Sequence, residues 1–298
     1  METNQLDLQA AVEAAGLGFL WSRLAPHCRL SVRVLTQTAP EVPLPVGCSH
    51  LGGLPDLPVA APWPTWQGRS LSFLAQLNLA ELAAFPAAAP LPPAGVLSFF
   101  YDALEQPWGY DPADRGRAVV LYHPVGTELA PRPQPADLTT DEYEAFTVVP
   151  LTFAPELTLP DLREQDLGIA EEELSEQQWD AYWDIQHRYA DGASRVLGHP
   201  DTIQGTMRDQ CALVMQGLNT GSAEAQQATQ QALGISDAQA ATWKEQALTE
   251  WELLLQLDSY EDEAGMMWGD SGRLYFWIPR TALSAHDFSQ VWQVLQCY

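Results

Sequence analysis

One apolar segment occurs twice in this chain, each time with a glutamine at its centre: SFLAQLNL over 72–79 and ELLLQLDS over 252–259. Both read as strands, being short apolar runs bounded by loop-forming residues. A glutamine inside such a strand must find partners within the protein, or cost about 1–3 kcal/mol. Any fold open to this chain must therefore supply those partners twice.

The match continues downstream. GVLSFFYD follows the first segment and GRLYFWIP the second, which aligns Gly95 with Gly272, Leu97 with Leu274, Phe99 with Phe276 and Phe100 with Trp277. Upstream, LGGLPD at 51–56 resembles LGHPD at 197–201 with one residue dropped. This pattern implies an internal duplication, with pseudo-repeat units near 50–125 and 196–280 inside a single domain spanning 1–298. Strict alternation predicts that Leu74, Gln76 and Asn78 share one face of their strand, and that Leu254, Gln256 and Asp258 share the equivalent face. Two uses fit the glutamines. Each can clamp a neighbouring Pro/Gly loop through its backbone, or the two triplets can line one cleft between the halves.

The remaining segments alternate in kind. Residues 5–24 have helical periodicity, RLSVRVLT alternates as a half-buried strand, and the loop over 40–68 holds too much proline for a helix or central strand. A helix is predicted over 171–190, and two more over 222–249, broken at Gly234 with Ser236 as cap. CALVMQGL reads as a strand whose Gln216 competes for the repeat, and SAHDFSQVWQVLQCY as a C-terminal helix capped by Ser284. Mixed order and short connections point to an α+β fold. Largely antiparallel twisted sheets, peripheral helices and long Pro/Gly-rich loops are expected.

The net charge of −25, with Lys244 the only lysine, disfavours nucleic acid and anionic membranes as partners, whereas a basic protein can be attracted. No run of about 18 apolar residues suggests a membrane span. The acidic start METNQLDLQ does not read as a signal peptide. Cys28, Cys48, Cys211 and Cys297 form no CxxC pair, and read as reduced thiols of a cytoplasmic protein rather than zinc ligands. The GDSG at 269–272 imitates a serine-protease motif, but Arg273 and Leu274 follow it, so a turn is the better reading. The acidic LDSYEDEAGMMWGD lacks EF-hand spacing. No metal and no cofactor are expected. His50 and His199 lie in the matched loops, where pseudo-symmetry can bring them together.

The pieces GGLPDLP…WP, LSFLAQLNLAEL, LPPAGVLSFFYD, LGHPDTIQ, LLLQLDS and MMWGDSGRLYFWI, in that order, resemble the YwqG-like family of bacterial proteins of unknown function. The resemblance implies an α+β fold and a cytoplasmic bacterial protein, and implies no reaction. By association with toxin and immunity genes it suggests binding. The expected function is a non-enzymatic binding module for a protein partner or small ligand, in an immunity or stress-related role. The alternative is an uncharacterised enzyme, such as a hydrolase, with a pocket between the repeats. The candidate binding residues are Gln76, Asn78, Gln256 and Asp258 from the motifs, Asp270 from the GDSG turn, and Trp268 and Trp63 from the loops. Loop tryptophans either anchor partners or cap cores.

Overall fold

The computed structural model describes residues 2–38, 42–138, 145–162, 167–169, 173–187 and 193–298, with side chains from residue 6. Among these, ten strands form one antiparallel sheet. They are β1 (Arg29–Thr36), β2 (His50–Leu51), β3 (Ser72–Asn78), β4 (Val96–Tyr101), β5 (Ala118–His123), β6 (Val149–Thr158), β7 (Arg195–Val196), β8 (Trp251–Asp258), β9 (Arg273–Pro279) and β10 (Trp292–Gln296).

Their order in space is β10-β9-β8-β7-β1-β6-β2-β3-β4-β5, which reads outward in chain order on both sides of the β1–β6 pair. β1 thus lies beside β7, and β6 beside β2: each half contributes its longest strand to the other. The register repeats as well. Val32 pairs with Val196 as Val149 pairs with Leu51. The Val34 N–H donates to Ser194 O (2.9 Å) as the Leu151 N–H donates to Ser49 O (3.1 Å).

The sheet curls until its halves face each other. Phe99 of β4 packs edge-on against Phe276 of β9 with ring centroids 5.2 Å apart. The inner faces supply one continuous core, with Val32, Leu77, Leu97, Leu257 and Leu274 at its centre. The edge strands β5 and β10 stand on opposite sides of a cavity of about 330 Å³, lined by 118–121 and 291–293.

Three separate covers close the outer faces. Over β3 and β4 lies the proline-rich loop, whose Trp63 and Trp66 pack with Leu57, Leu71, Phe73 and Phe100. Over the start of β1 and the end of β6 lie α1 (Glu2–Ala14) and α2 (Glu176–Gln186), through Leu8, Val12, Leu157 and Tyr182. Over β8–β10 lie α3 (Arg208–Met215) and α5 (Asp237–Glu250), through Cys211, Val214, Ala247, Leu253 and Trp277.

β3 and β8 carry a bulge at the same point, between Phe73 and Ala75 and between Leu253 and Leu255. An extra residue inverts the side-chain alternation beyond it. Leu74 and Leu254 therefore join the inner core, whereas Phe73 and Leu253 belong to the outer clusters. The predicted triplets are corrected accordingly: the leucines face inward, away from Gln76 and Asn78 and from Gln256 and Asp258.

Other local expectations also change. CALVMQGL is not a strand: most of it forms α3, with Gln216 as its C-cap. Cys211 and Val214 face the sheet, while Leu213 packs with Leu218 and Ala240. An apolar run buried on two sides has no periodicity by which to tell strand from helix. The C-terminal segment is not one helix but a short helix (Arg280–Ser284), a 3-10 turn (Phe288–Gln290) and then β10. Ser284 ends the first helix, its Oγ donating to Arg280 O at 2.9 Å. The first helix stops at Ala14, and Gly16 follows with φ +74°. The helix predicted over 171–190 spans Glu176–Gln186 behind a Ser175 capping box; 171–172 and 188–190 lie outside the described residues. The break at Gly234 and the Ser236 cap are both present, separating α4 (Ala223–Leu233) from α5.

Deleting residues 1–48 removes β1 and leaves β6 and β7 without their shared neighbour. The truncated chain should show no cooperative thermal transition by circular dichroism. A sharp transition would mean that the centre of the sheet is dispensable.

Candidate binding site

Both glutamines are fully buried, and their hydrogen bonds are the same. Gln76 Oε1 accepts from the Asp56 N–H (2.9 Å), and its Nε2 donates to Cys48 O (2.8 Å) and Asp56 Oδ2 (2.7 Å). Gln256 Oε1 accepts from the Asp201 N–H (2.8 Å), and its Nε2 donates to Ala193 O and to Asp201 Oδ2 (3.3 Å). Two residues on, the Asn78 N–H donates to Ser49 Oγ (2.8 Å) and the Asp258 N–H to Ser194 Oγ (2.9 Å). Each amide thus ties a loop to the outer face of its own half. Five strand spacings separate β3 from β8 along the sheet, at about 4.8 Å each.

The halves differ in the charge built around the clamp. Opposite Gln76 stands His50; opposite Gln256 stands Arg195, only 2% exposed. Arg195 donates to both oxygens of Glu156 (2.9 and 3.1 Å), pairs with Asp201 Oδ1 (2.6 Å) and reaches His199 O (3.1 Å). Burial opposes its charge, but Asp201 and Glu156 more than compensate, so its pKa is raised. Asp258 accepts from Arg273 Nε (3.1 Å) and from the Ala193 N–H (2.9 Å), where the first half has neutral Asn78 and Val96. Burial pushes the Asp258 carboxyl up, against the pull of Arg273.

This charged corner opens on a cavity of about 840 Å³. Asp258, Arg273 and Tyr260 form part of its wall, and exposed Asp184, Glu261, Asp262 and Glu263 also line it. α2 adds His187 and Trp183, whose rings stack 3.9 Å apart. His187 is 5% exposed; its Nδ1 lies 2.9 Å from Trp183 O, and its Nε2 has no hydrogen-bond partner among the described residues. A ring nitrogen facing a carbonyl carries the proton, which leaves Nε2 as an acceptor. Burial lowers the pKa of this ring and keeps it neutral. Among the described residues Arg273 is the one cation lining the cavity, and it is already held by Asp258. The cavity therefore offers mainly acceptors and negative charge.

Of the residues singled out in the sequence, Asp258 lines this cavity. Trp268 lies beneath, fully buried in the inner core against Tyr101 and Phe146, and its Nε1 donates to Asp258 O (3.0 Å). Asp270 is exposed in the turn, where its carbonyl accepts from the Tyr298 N–H (3.3 Å). Gln76, Asn78 and Trp63 belong to the other half. Asn78 caps the short helix Leu79–Leu82, and Trp63 packs edge-on against Phe100 while donating to Leu71 O (2.8 Å). His50 and His199 do not meet: His50 Nδ1 faces Gly52 O (2.9 Å), and His199 Nε2 faces His27 O (2.7 Å).

Sequence reasoning missed His187, Arg195 and Arg273. The signal for Arg273 was available, since it follows the matched glycine where the first half has Val96; the match of Leu51 with Leu197 hid Arg195, which the structure places where the first half has His50. Nothing local marks His187, which α2 brings from a distant segment. Among the described residues no three His, Cys, Asp or Glu side chains gather as a metal would require. No helix among them is long and apolar enough to cross a membrane.

The fold and cavity define an α+β protein built on a single curled antiparallel sheet, with an acceptor-rich hollow on one half. A family model described as Domain of unknown function (DUF1963) matches residues 49–297, and the chain belongs to that family. The match begins after β1, although β1 holds the centre of the sheet. A search of curated proteins finds no match.

Replacing Gln256 with Leu orphans the Asp201 N–H and Ala193 O, and should lower stability by about 1–3 kcal/mol in urea unfolding. Gln76→Leu should cost a similar amount. An unchanged midpoint in both variants would refute the clamp.

Burial also lowers the pKa values of His50 and His123, and places His199 well below its ordinary range. A base with a depressed folded pKa takes up protons on unfolding. The stability it lends is complete above the unfolded value of about 6.5 and is lost as pH falls through that value. The thermal midpoint should therefore drop between about pH 7.5 and about pH 5.5 in roughly 0.5 M salt, where carboxylate repulsion is screened. A flat or rising midpoint would show these rings already protonated in the folded protein.

Proposed function

We propose that this chain is a non-enzymatic binding module, and that the cavity beside Asp258 receives a cationic group from a basic partner. One observation carries this reading. Among the described residues the cavity gathers five carboxylates and a neutral His187 acceptor without a hydrogen-bond partner, around a single arginine that is already paired. An ammonium or guanidinium supplies the donors and the charge that such a lining lacks. The net charge of −25 attracts a basic protein at long range.

Catalysis is the weaker reading. Ser259 at the cavity is committed, its Oγ donating to Gly272 O (2.9 Å) and accepting from the Trp268 N–H (3.0 Å), so it is poorly placed to serve as a nucleophile.

The recurring register and glutamine bonds support an internal duplication. With the exchanged strands, they also support a single domain, in keeping with a cytoplasmic, YwqG-like bacterial protein. An immunity or stress-related role fits a module that neutralises a basic partner.

Fluorescence anisotropy with an arginine- and lysine-rich peptide tests the proposal. The protein should bind it, and Glu261→Gln, Asp262→Asn and Glu263→Gln together should weaken binding roughly tenfold at low salt, at 0.2–1 kcal/mol per exposed charge. Equal binding of an acidic peptide, or no loss in the triple variant, would reject the site.

A further inference from the structure

At the opposite end of the same strands lies a second hollow, independent of the acidic one. It is a groove of about 600 Å³. The turn at 86–90 forms one wall through Pro86 and Ala87, and Leu30, Leu197 and Leu283 are apolar contributors from the rest of the molecule. Arg29 at the start of β1 and Arg280 just after β9 are its cations. Among the described residues Glu252 is the only carboxylate in the lining, and both arginines bind it, Arg29 NH1 to Oε2 at 2.7 Å and Arg280 NH2 to Oε1.

The charge count decides what fits. Among the described residues two guanidiniums share one carboxylate, which leaves one net positive charge beside an apolar surface. That is an unusual concentration of cation in a chain with 14 basic and 39 acidic residues. The arrangement is also specific to this end of the sheet. At the other end, Phe146 packs its ring against Trp268 with centroids 5.8 Å apart, and the loop there is tied down by the Thr147 N–H donating to Ala264 O (2.9 Å). The volume falls within the range of about 300–1,000 Å³ usual for small-molecule sites.

We infer that this groove binds an anionic amphiphile: a carboxylate held by Arg29 and Arg280, with its hydrocarbon tail along the apolar wall formed by Leu30, Leu197, Leu283 and the 86–90 turn. A guanidinium recognises a carboxylate through paired, charge-assisted hydrogen bonds. The tail adds affinity in proportion to the apolar surface it buries.

Isothermal titration of the full chain with decanoate, kept below its micelle concentration, tests this. Decanoate should bind one to one, and octanoate about tenfold more weakly, since each methylene is worth roughly a three- to fourfold change. Decyltrimethylammonium, which has the same tail and the opposite charge, should bind far less. Arg280→Gln removes an exposed cation without touching the core and should weaken decanoate about tenfold. Ala89→Trp, at an exposed position of the wall, should block the groove. Failure of decanoate to bind, equal binding of the cationic amphiphile, or decanoate affinity unchanged in both variants would overturn the assignment. Binding of a basic peptide at the acidic cavity is scored separately and decides neither outcome.

Discussion

The antiparallel ladder between β1 and β6, from Arg29 opposite Thr158 to Thr36 opposite Leu151, is the seam on which the rest of the molecule hangs. Each strand of the pair has its other edge occupied by a strand of the opposite half. Buried backbone groups on those edges need protein partners. The short strands β7 and β2 supply them at Val32–Arg33 and at Val149–Pro150, and the buried glutamines of β8 and β3 then hold the loops that follow. Seam, short strand and amide clamp form one chain of dependence, present twice.

The second copy of that chain carries the charge. Burying Arg195 with Glu156 and Asp201 sacrifices the hydration of three ions, and the return from their mutual attraction does not by itself favour folding over an apolar substitute. What the cluster adds is position. It fixes Asp201, which aligns Gln256, whose strand ends in Asp258 at the cavity wall. The first half keeps the same backbone bonds with His50 and Asn78 in those places, so it holds its loops without building a charged hollow. The two outer faces diverge in step, one covered by the tryptophans of the proline-rich loop and the other by α3 and α5.

Much of this frame was legible in the sequence. The repeated glutamine, the matched glycines and the alternating apolar runs identified the strands, their antiparallel character and the need for a backbone clamp. The failures have physical causes. A bulge leaves no mark in an all-leucine run, because Leu253, Leu254 and Leu255 are equally suited to either face, and so the faces of the motif were misread. The run CALVMQGL is apolar on two sides and carries no period. The C-terminal strand hides behind a helix of only five residues and a polar turn. The acidic run after Asp258 was visible in the sequence, but the cavity was not, since Asp184 and His187 join that run only through packing between segments distant in sequence.

The exchange of β1 and β6 also bears on how the chain is made. As it leaves the ribosome, the first half offers β2 to β5 with an open edge on β2, and that edge is met only when β6 emerges, roughly a hundred residues after β2. β1 waits longer still, since β7 and β8 come later. Neither half can close its sheet alone, so the nascent chain carries exposed strand edges through most of its synthesis. Pairings this distant in sequence are slow to form. A net charge of −25, spread along the chain, makes such half-built sheets repel one another.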